Sequence, residues 1–257
     1  MMRLIIAFTL AVSFLCGCTV KEDRETCPCR LILDFGNIDT SLCRSLNLLA
    51  TMQGEIIFSD RIETMDLADE YIVEVPRGIL RINVWAGDGD RVDHEHGVVI
   101  PYGCECPPLY MHSFIADASG ELCRESIRLR KNHCRLTVMV EGMDAVPYSL
   151  TFKGNVDGYR LDGRPSSGDF SCVAYPESTG NSRALLPRQT DSSLLLEVDD
   201  GTSVVKTFAV GEHIAASGYD WTSEDLEDIT ITLDYHVTYI KVTIQEWDEE
   251  YVYDITL

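Results

Sequence analysis

Apolar residues in this chain fall at every second position, in short runs closed by Gly, Pro or Asp, with almost no stretch at the three-to-four spacing of a helix. Side chains on a strand alternate between its two faces, so runs of this kind can bury an apolar face only against another layer. Leu31-Ile32-Leu33-Asp34-Phe35 opens the pattern, and Glu55 to Phe58, Tyr71 to Val75, Ile79 to Trp85 and Val98 to Ile100 continue it. Many short strands with turn residues between them predict an all-β fold of the sandwich class.

A polar, Pro-containing stretch from Cys104 to Glu121 interrupts the pattern, and a domain boundary is expected inside it, near 120. This gives an N-terminal β-sandwich over 31–120 and a C-terminal one over 121–257. The second group starts at Ser126 to Arg130 and Arg135 to Val140; then Tyr148, Leu150 and Phe152 share one face while Ser149, Thr151 and Lys153 share the other. Leu194 to Val198 and Val204 to Val210 flank Asp199-Asp200-Gly201, which predicts a hairpin. Helical signals are brief: Gly211 to Ser217 fits two turns, and Thr222-Ser223-Glu224-Asp225 has the spacing of a capping box. Near the end, Ile229, Ile231, Leu233 and Tyr235 alternate with polar residues, Tyr239 to Ile244 follows, and Tyr251, Tyr253, Ile255 and Leu257 alternate again. The last residues printed are therefore expected in a sheet, this protein's own or a partner's.

The other end carries a different signal. Met1-Met2-Arg3 precedes an apolar run from Leu4 to Leu15, and Leu15-Cys16-Gly17-Cys18 follows. The run is too short to span a bilayer, which takes about 20 apolar residues, and it reads as the core of a signal peptide over 1–17. Leu-x-Gly-Cys matches a bacterial lipobox, so cleavage is expected between Gly17 and Cys18, with diacylglycerol on the Cys18 sulfur; an ordinary secretory signal is the plainer alternative. Residues 18–30 form a polar tether in which Lys21, Glu22 and Asp23 resemble a surface-export signal, the alternative being a solvated linker. The expected location is the outer membrane, lipid-anchored, facing the cell surface.

A formal net charge of −21 argues against nucleic acid as a partner, because such a surface repels phosphates. Beyond Cys16 and Cys18 there remain Cys27, Cys29, Cys43, Cys104, Cys106, Cys123, Cys134 and Cys172. An even number in an exported chain favours disulfides or a mixture with free thiols, and eight cysteines allow 105 pairings, none of which the spacing selects. Cys27-Pro28-Cys29, Cys104-Glu105-Cys106, His94 and His96 raise a zinc site, but one-residue spacing is tighter than structural zinc uses. Asp88, Asp90 and Asp93 lack the spacing of a calcium loop, and Gly87-Asp88-Gly89-Asp90 reads as a tight turn. No Gly-x-Ser-x-Gly, His-Glu-x-x-His or phosphate-binding glycine loop is present, so no catalytic residue, metal or cofactor is expected. Trp221 and Trp247 suit a sugar platform or, more often for strand aromatics, a core.

Several stretches resemble one family, the FimB-type (Mfa-like) fimbrial anchor lipoproteins. They are Cys18 with Arg24 to Pro28 and the strand Leu31 to Phe35; Gly158-Tyr159-Arg160-Leu161-Asp162-Gly163-Arg164-Pro165; Ile214 to Thr222 with Asp225 to Ile229; and Asp234-Tyr235 through Trp247 to Ile255. Cys104, Cys106, Cys123 and Cys134 lie outside the pattern. The resemblance implies two tandem transthyretin-like β-sandwich domains and a subunit that holds the base of a donor-strand fimbria in the membrane and terminates its assembly, with a fimbrial shaft subunit as partner. In related shaft subunits a first strand is cut away and a neighbour's strand fills the groove. Here such a cut would free the folded part from its lipid, so Leu31, Leu33 and Phe35 are expected to stay in place, and Tyr251, Tyr253, Ile255 and Leu257 become a candidate partner surface. A surface lipoprotein that binds glycans or peptides, and a metal-dependent hydrolase using His94 and His96, are the competing readings.

Overall fold

The computed structural model describes residues 27–42, 44–87, 92–93, 97–142, 148–178, 180–234, 239–245 and 250–256. The first nine strands are β1 (Cys29–Asp34), β2 (Ser45–Met52), β3 (Glu55–Glu63), β4 (Glu70–Val75), β5 (Ile79–Ala86), β6 (Val92–Asp93), β7 (Gly97–Val99), β8 (Tyr110–Asp117) and β9 (Leu122–Ser126). After β10 (Arg130–Lys131) come β11 (His133–Glu141), β12 (Ser149–Tyr159), β13 (Pro165–Ala174), β14 (Asn181–Pro187), β15 (Leu195–Asp199) and β16 (Val204–Phe208). A two-turn helix, α1 (Val210–Ala216), leads to β17 (Asp228–Asp234), β18 (Tyr239–Gln245) and β19 (Glu250–Thr256).

The strands form four sheets, ordered β4-β1-β9, β10-β8-β5-β2-β3, β14-β11-β17-β18-β19 and β16-β15-β12-β7-β6, with β13 on the other edge of β12. One pairing scheme occurs twice. In the first half β1 pairs antiparallel with β4 and parallel with β9, while β2 pairs with β3 and β5 and β5 with β8. In the second half β11 pairs antiparallel with β14 and parallel with β17, while β12 pairs with β13 and β15 and β15 with β16. The hairpin β18–β19 extends the second copy beyond β17 and, among the described residues, has no counterpart beside β9. Around residue 120 the hydrogen bonding interleaves, since β9 joins β1 and β7 joins β12.

Period-two patterning explains the cores. β17 alternates half-buried with buried residues, and Ile229, Ile231 and Leu233 point inward with Leu136 and Val138 of β11. Leu31, Leu33, Leu46, Leu48, Leu80 and Ile82 fill the first core. A third, smaller cluster places Leu49 and Trp85 from the back of the β5–β2 sheet against Val98, Leu109, Met111 and Tyr159. That contact requires backbones to touch: a Cβ on Gly158 would lie 2.0 Å from the Val98 carbonyl oxygen, so glycine alone fits there.

Two expectations change. The segment Thr222 to Asp225 makes turns rather than a helix, because the Asp220 carboxylate takes the Thr222 N–H (2.7 Å) and hydroxyl (2.6 Å) in an Asx turn. Ser126 to Arg130 is no single strand: β9 stops at Ser126, where the Ile127 N–H donates to the Asp34 carbonyl (2.9 Å) and the Ile127 side chain dives into the core. Cys27, Cys29, Cys104, Cys106, Cys123, Cys134 and Cys172 stand as thiols in this structure, with Cys29 and Cys123 in one core and Cys106, Cys134 and Cys172 in the other.

Candidate functional site

β1 is the central strand of its sheet, hydrogen-bonded along both edges. Leu31, Leu33 and Phe35 are at most 3% exposed, and Leu33 sits between Tyr71 of β4 and Glu125 of β9. The entry to the strand is tied down as well: the Cys27 carbonyl accepts from Arg77 Nε (2.8 Å), and the Arg30 N–H donates to Glu121 O (2.9 Å). Leu31 and Leu33 on one face of the strand, followed by Phe35, make β1 part of the core, and removing it would open an apolar slot between β4 and β9.

β19 occupies the opposite situation. It pairs only with β18 and ends the five-stranded sheet, so the backbone groups of its outer edge have no strand beside them among the described residues. In register Tyr251, Tyr253 and Ile255 stand opposite Ile244, Val242 and Ile240. An edge of this kind can accept a further strand from another chain. Leu257 lies outside the described residues, as do Gly17, Cys18, Lys21, Glu22, Asp23, Asp88, Asp90, His94, His96 and Trp247. β1 and β19 belong to different sheets, so the residues expected to stay in the protein's own groove and those expected to meet a partner are separate features.

Sequence reasoning did not find a groove of about 970 Å³ where the two copies of the pairing scheme meet. Arg188 organises its wall. Its guanidinium donates to the carbonyls of Trp221 and Ser223 (the latter 2.7 Å) and to Asn132 Oδ1 (3.2 Å), while its backbone N–H donates to the Tyr159 hydroxyl (2.9 Å). The Tyr159 hydroxyl in turn donates to the Asn132 carbonyl. On the rim Arg130 pairs with Glu224 and Asp225. Gly163 reaches the other wall, with the Ser113 hydroxyl donating to the neighbouring Asp162 carbonyl (2.9 Å). Two of the stretches that carry the family resemblance, 158–165 and 214–222, thus meet at this joint. The signal available in the sequence was that clustering of matches, since no periodicity marks a lone Arg.

The ionisable groups here are held for structure. His133 is buried, takes the Leu109 N–H on Nδ1 (3.0 Å) and packs edge-on against Tyr110. Burial pushes its pKa down to about 4, opposed in part by the Leu109 backbone. The unfolded chain takes up a proton below about 6.5 while the folded one refuses it until about 4, so this residue's effect is a loss of stability as pH falls through that window. We expect His133→Asn, which keeps an acceptor, to lose about 3 kcal/mol less than the parent between pH 7 and pH 4 in urea titrations. Among the described residues no group of His, Cys, Asp and Glu comes together in the manner of a metal site, and no helix is long and apolar enough to cross a membrane.

The arrangement defines a class by fold, an all-β protein of the sandwich type, and solved structures share it. Among solved structures, a candidate polysaccharide-binding protein from Bacteroides thetaiotaomicron superposes with a TM-score of 0.63 at 15% identity, over 89% of this chain and 98% of its own. A candidate adhesin from Bacteroides ovatus gives 0.57 at 12% identity, over 89% and 95%. The fimbrial anchor protein Mfa2 from Porphyromonas gingivalis gives 0.54 at 15% identity, over 86% and 98%. No protein-family model and no curated protein sequence matches. At these identities the likeness is one of fold, and the resemblance to Mfa-like fimbrial proteins is met at that level.

Proposed function

We propose that this protein is the anchor subunit of a fimbria, tethered to the outer membrane through an acyl chain on Cys18, facing the cell surface, and ending growth of the fibre at its base. The observation that carries the reading is the position of β1: the strand that follows the tether is buried at the centre of its own sheet. A subunit that keeps this strand has no slot to offer a neighbour, yet stays continuous with its lipid. Lys21, Glu22 and Asp23 would direct export, and the exposed edge of β19 would meet the shaft subunit by strand addition. The repeated pairing scheme supports two tandem transthyretin-like domains, divided in sequence near 120, with β7 and β9 exchanged between sheets. No catalytic role or cofactor is part of the reading.

Co-expression with a shaft subunit tests it. The parent chain should take up labelled palmitate, begin at Cys18 when mature and co-purify with the shaft; Cys18→Ala should lose the label. Deleting 250–257 should abolish co-purification while leaving the thermal transition intact. A mature terminus beyond Phe35 overturns strand retention, and loss of the transition on the deletion overturns β19 as a partner edge. The groove beside Trp221 favours a second reading, capture of a glycan, since one structure of the same fold is described as polysaccharide-binding; glycan-array binding by the purified chain would support it.

A further inference from the structure

The fold brings two cysteines of the first pairing scheme to one place. Cys29 opens β1 and is fully buried, Cys123 is the second residue of β9, and both belong to the same core. β1 and β9 run parallel with Leu31 opposite Cys123. Residues two apart on a strand point to one face, so Cys29 and Cys123 both face that core as diagonal neighbours.

The second copy supplies an internal comparison. Leu136 of β11 stands opposite Ile229 of β17, as Leu31 stands opposite Cys123. Cys134, two residues before Leu136, takes the position that Cys29 takes before Leu31, and it is fully buried in the second core. The seat is the same, but Ile229 brings no second sulfur.

We propose that Cys29 and Cys123 form a disulfide in the exported protein, fastening the strand next to the tether to β9. The inference rests on the anchor reading only for the oxidising compartment. The oxidant is a disulfide-bearing oxidoreductase or glutathione disulfide. One cysteine thiolate attacks it, forming a mixed disulfide and releasing one thiolate; the second cysteine thiolate displaces the remaining thiolate, so the S–S bond forms and the oxidant leaves as two thiols carrying both electrons and, with the two protons lost, both hydrogens. Burial pushes both thiols up, Cys123 to about 11. Exchange therefore belongs to folding, before β1 is sealed, because the thiolate is the nucleophile.

The full chain is purified from the exported fraction, and a second sample is reduced, unfolded and refolded in glutathione redox buffer. Both are alkylated under denaturing conditions without reductant, and the linked peptides are assigned by fragment ions. The expected result is a Cys29–Cys123 link in both samples, lost in Cys123→Ser, with Cys134 alkylated throughout. The linked form should melt roughly 5–10 °C above the reduced one. Alkylation of both cysteines in the refolded chain, or Cys29 joined to Cys27 or any other cysteine, overturns the inference. A link in a chain that carries no acyl group leaves it standing and removes the anchor reading; an acylated chain without the link does the reverse.

Discussion

Leu33→Asp is expected to abolish the cooperative unfolding transition, and Leu33→Ala to lower stability by about 2–5 kcal/mol. Leu33 has no exposed surface and packs in the core that also holds Leu31, Phe35, Leu46 and Leu80. A carboxylate there would be neither hydrated nor paired, a penalty comparable to the whole stability of a domain. Differential scanning calorimetry with far-ultraviolet circular dichroism reads the result. A Leu33→Asp chain that melts like the parent would remove β1 from the core and with it the strand-retention argument. A peptide copying residues 29–35, added to a chain lacking them, should restore part of the transition, since the slot between β4 and β9 would be filled from outside.

Arg188→Leu should cost about 2–4 kcal/mol, because it removes a half-buried charged donor and leaves the acceptors it served unsatisfied. The substitution leaves the carbonyls of Trp221 and Ser223 and the Asn132 side chain without their donor. Arg188→Lys should recover little, because one ammonium cannot replace a planar fork that reaches three acceptors at once. Denaturant titration gives the energy, and a red shift of tryptophan emission reports solvent reaching Trp221. A variant within about 0.5 kcal/mol of the parent would mean the joint is held by the Tyr159 cluster instead.

Strand identity was legible wherever one face of a strand is wet. β12 reads from Leu150 and Phe152 alternating with Thr151 and Lys153, and β17 from Ile229, Ile231 and Leu233. The hairpin at Asp199-Asp200-Gly201 and the short helix after Ala209 were readable from turn chemistry and spacing. Partner strands were not. Nothing local to Leu122–Ser126 says that it runs parallel to a strand some ninety residues earlier, or that Gly97–Val99 joins a sheet that begins fifty residues later, because register is decided by distant faces. The Thr222 capping pattern misled for a related reason: Arg188, far off in sequence, claims the carbonyls a helix would have used. The first strand was thus readable from patterning as a strand, whereas the groove depends on contacts between segments that share no local signal.

The double pairing of β1 has a mechanical meaning. In the proposed anchor, a pull on a tether over 18–30 would enter the strand at Cys29, the first residue of a strand bonded to β4 on one side and β9 on the other. Tension along that axis loads the two rows of hydrogen bonds side by side, in shear, instead of peeling them one after another from a free edge. For such an anchor, flow past a cell would load a strand bonded on both sides, and rupture would require both rows of the three-stranded sheet to yield together.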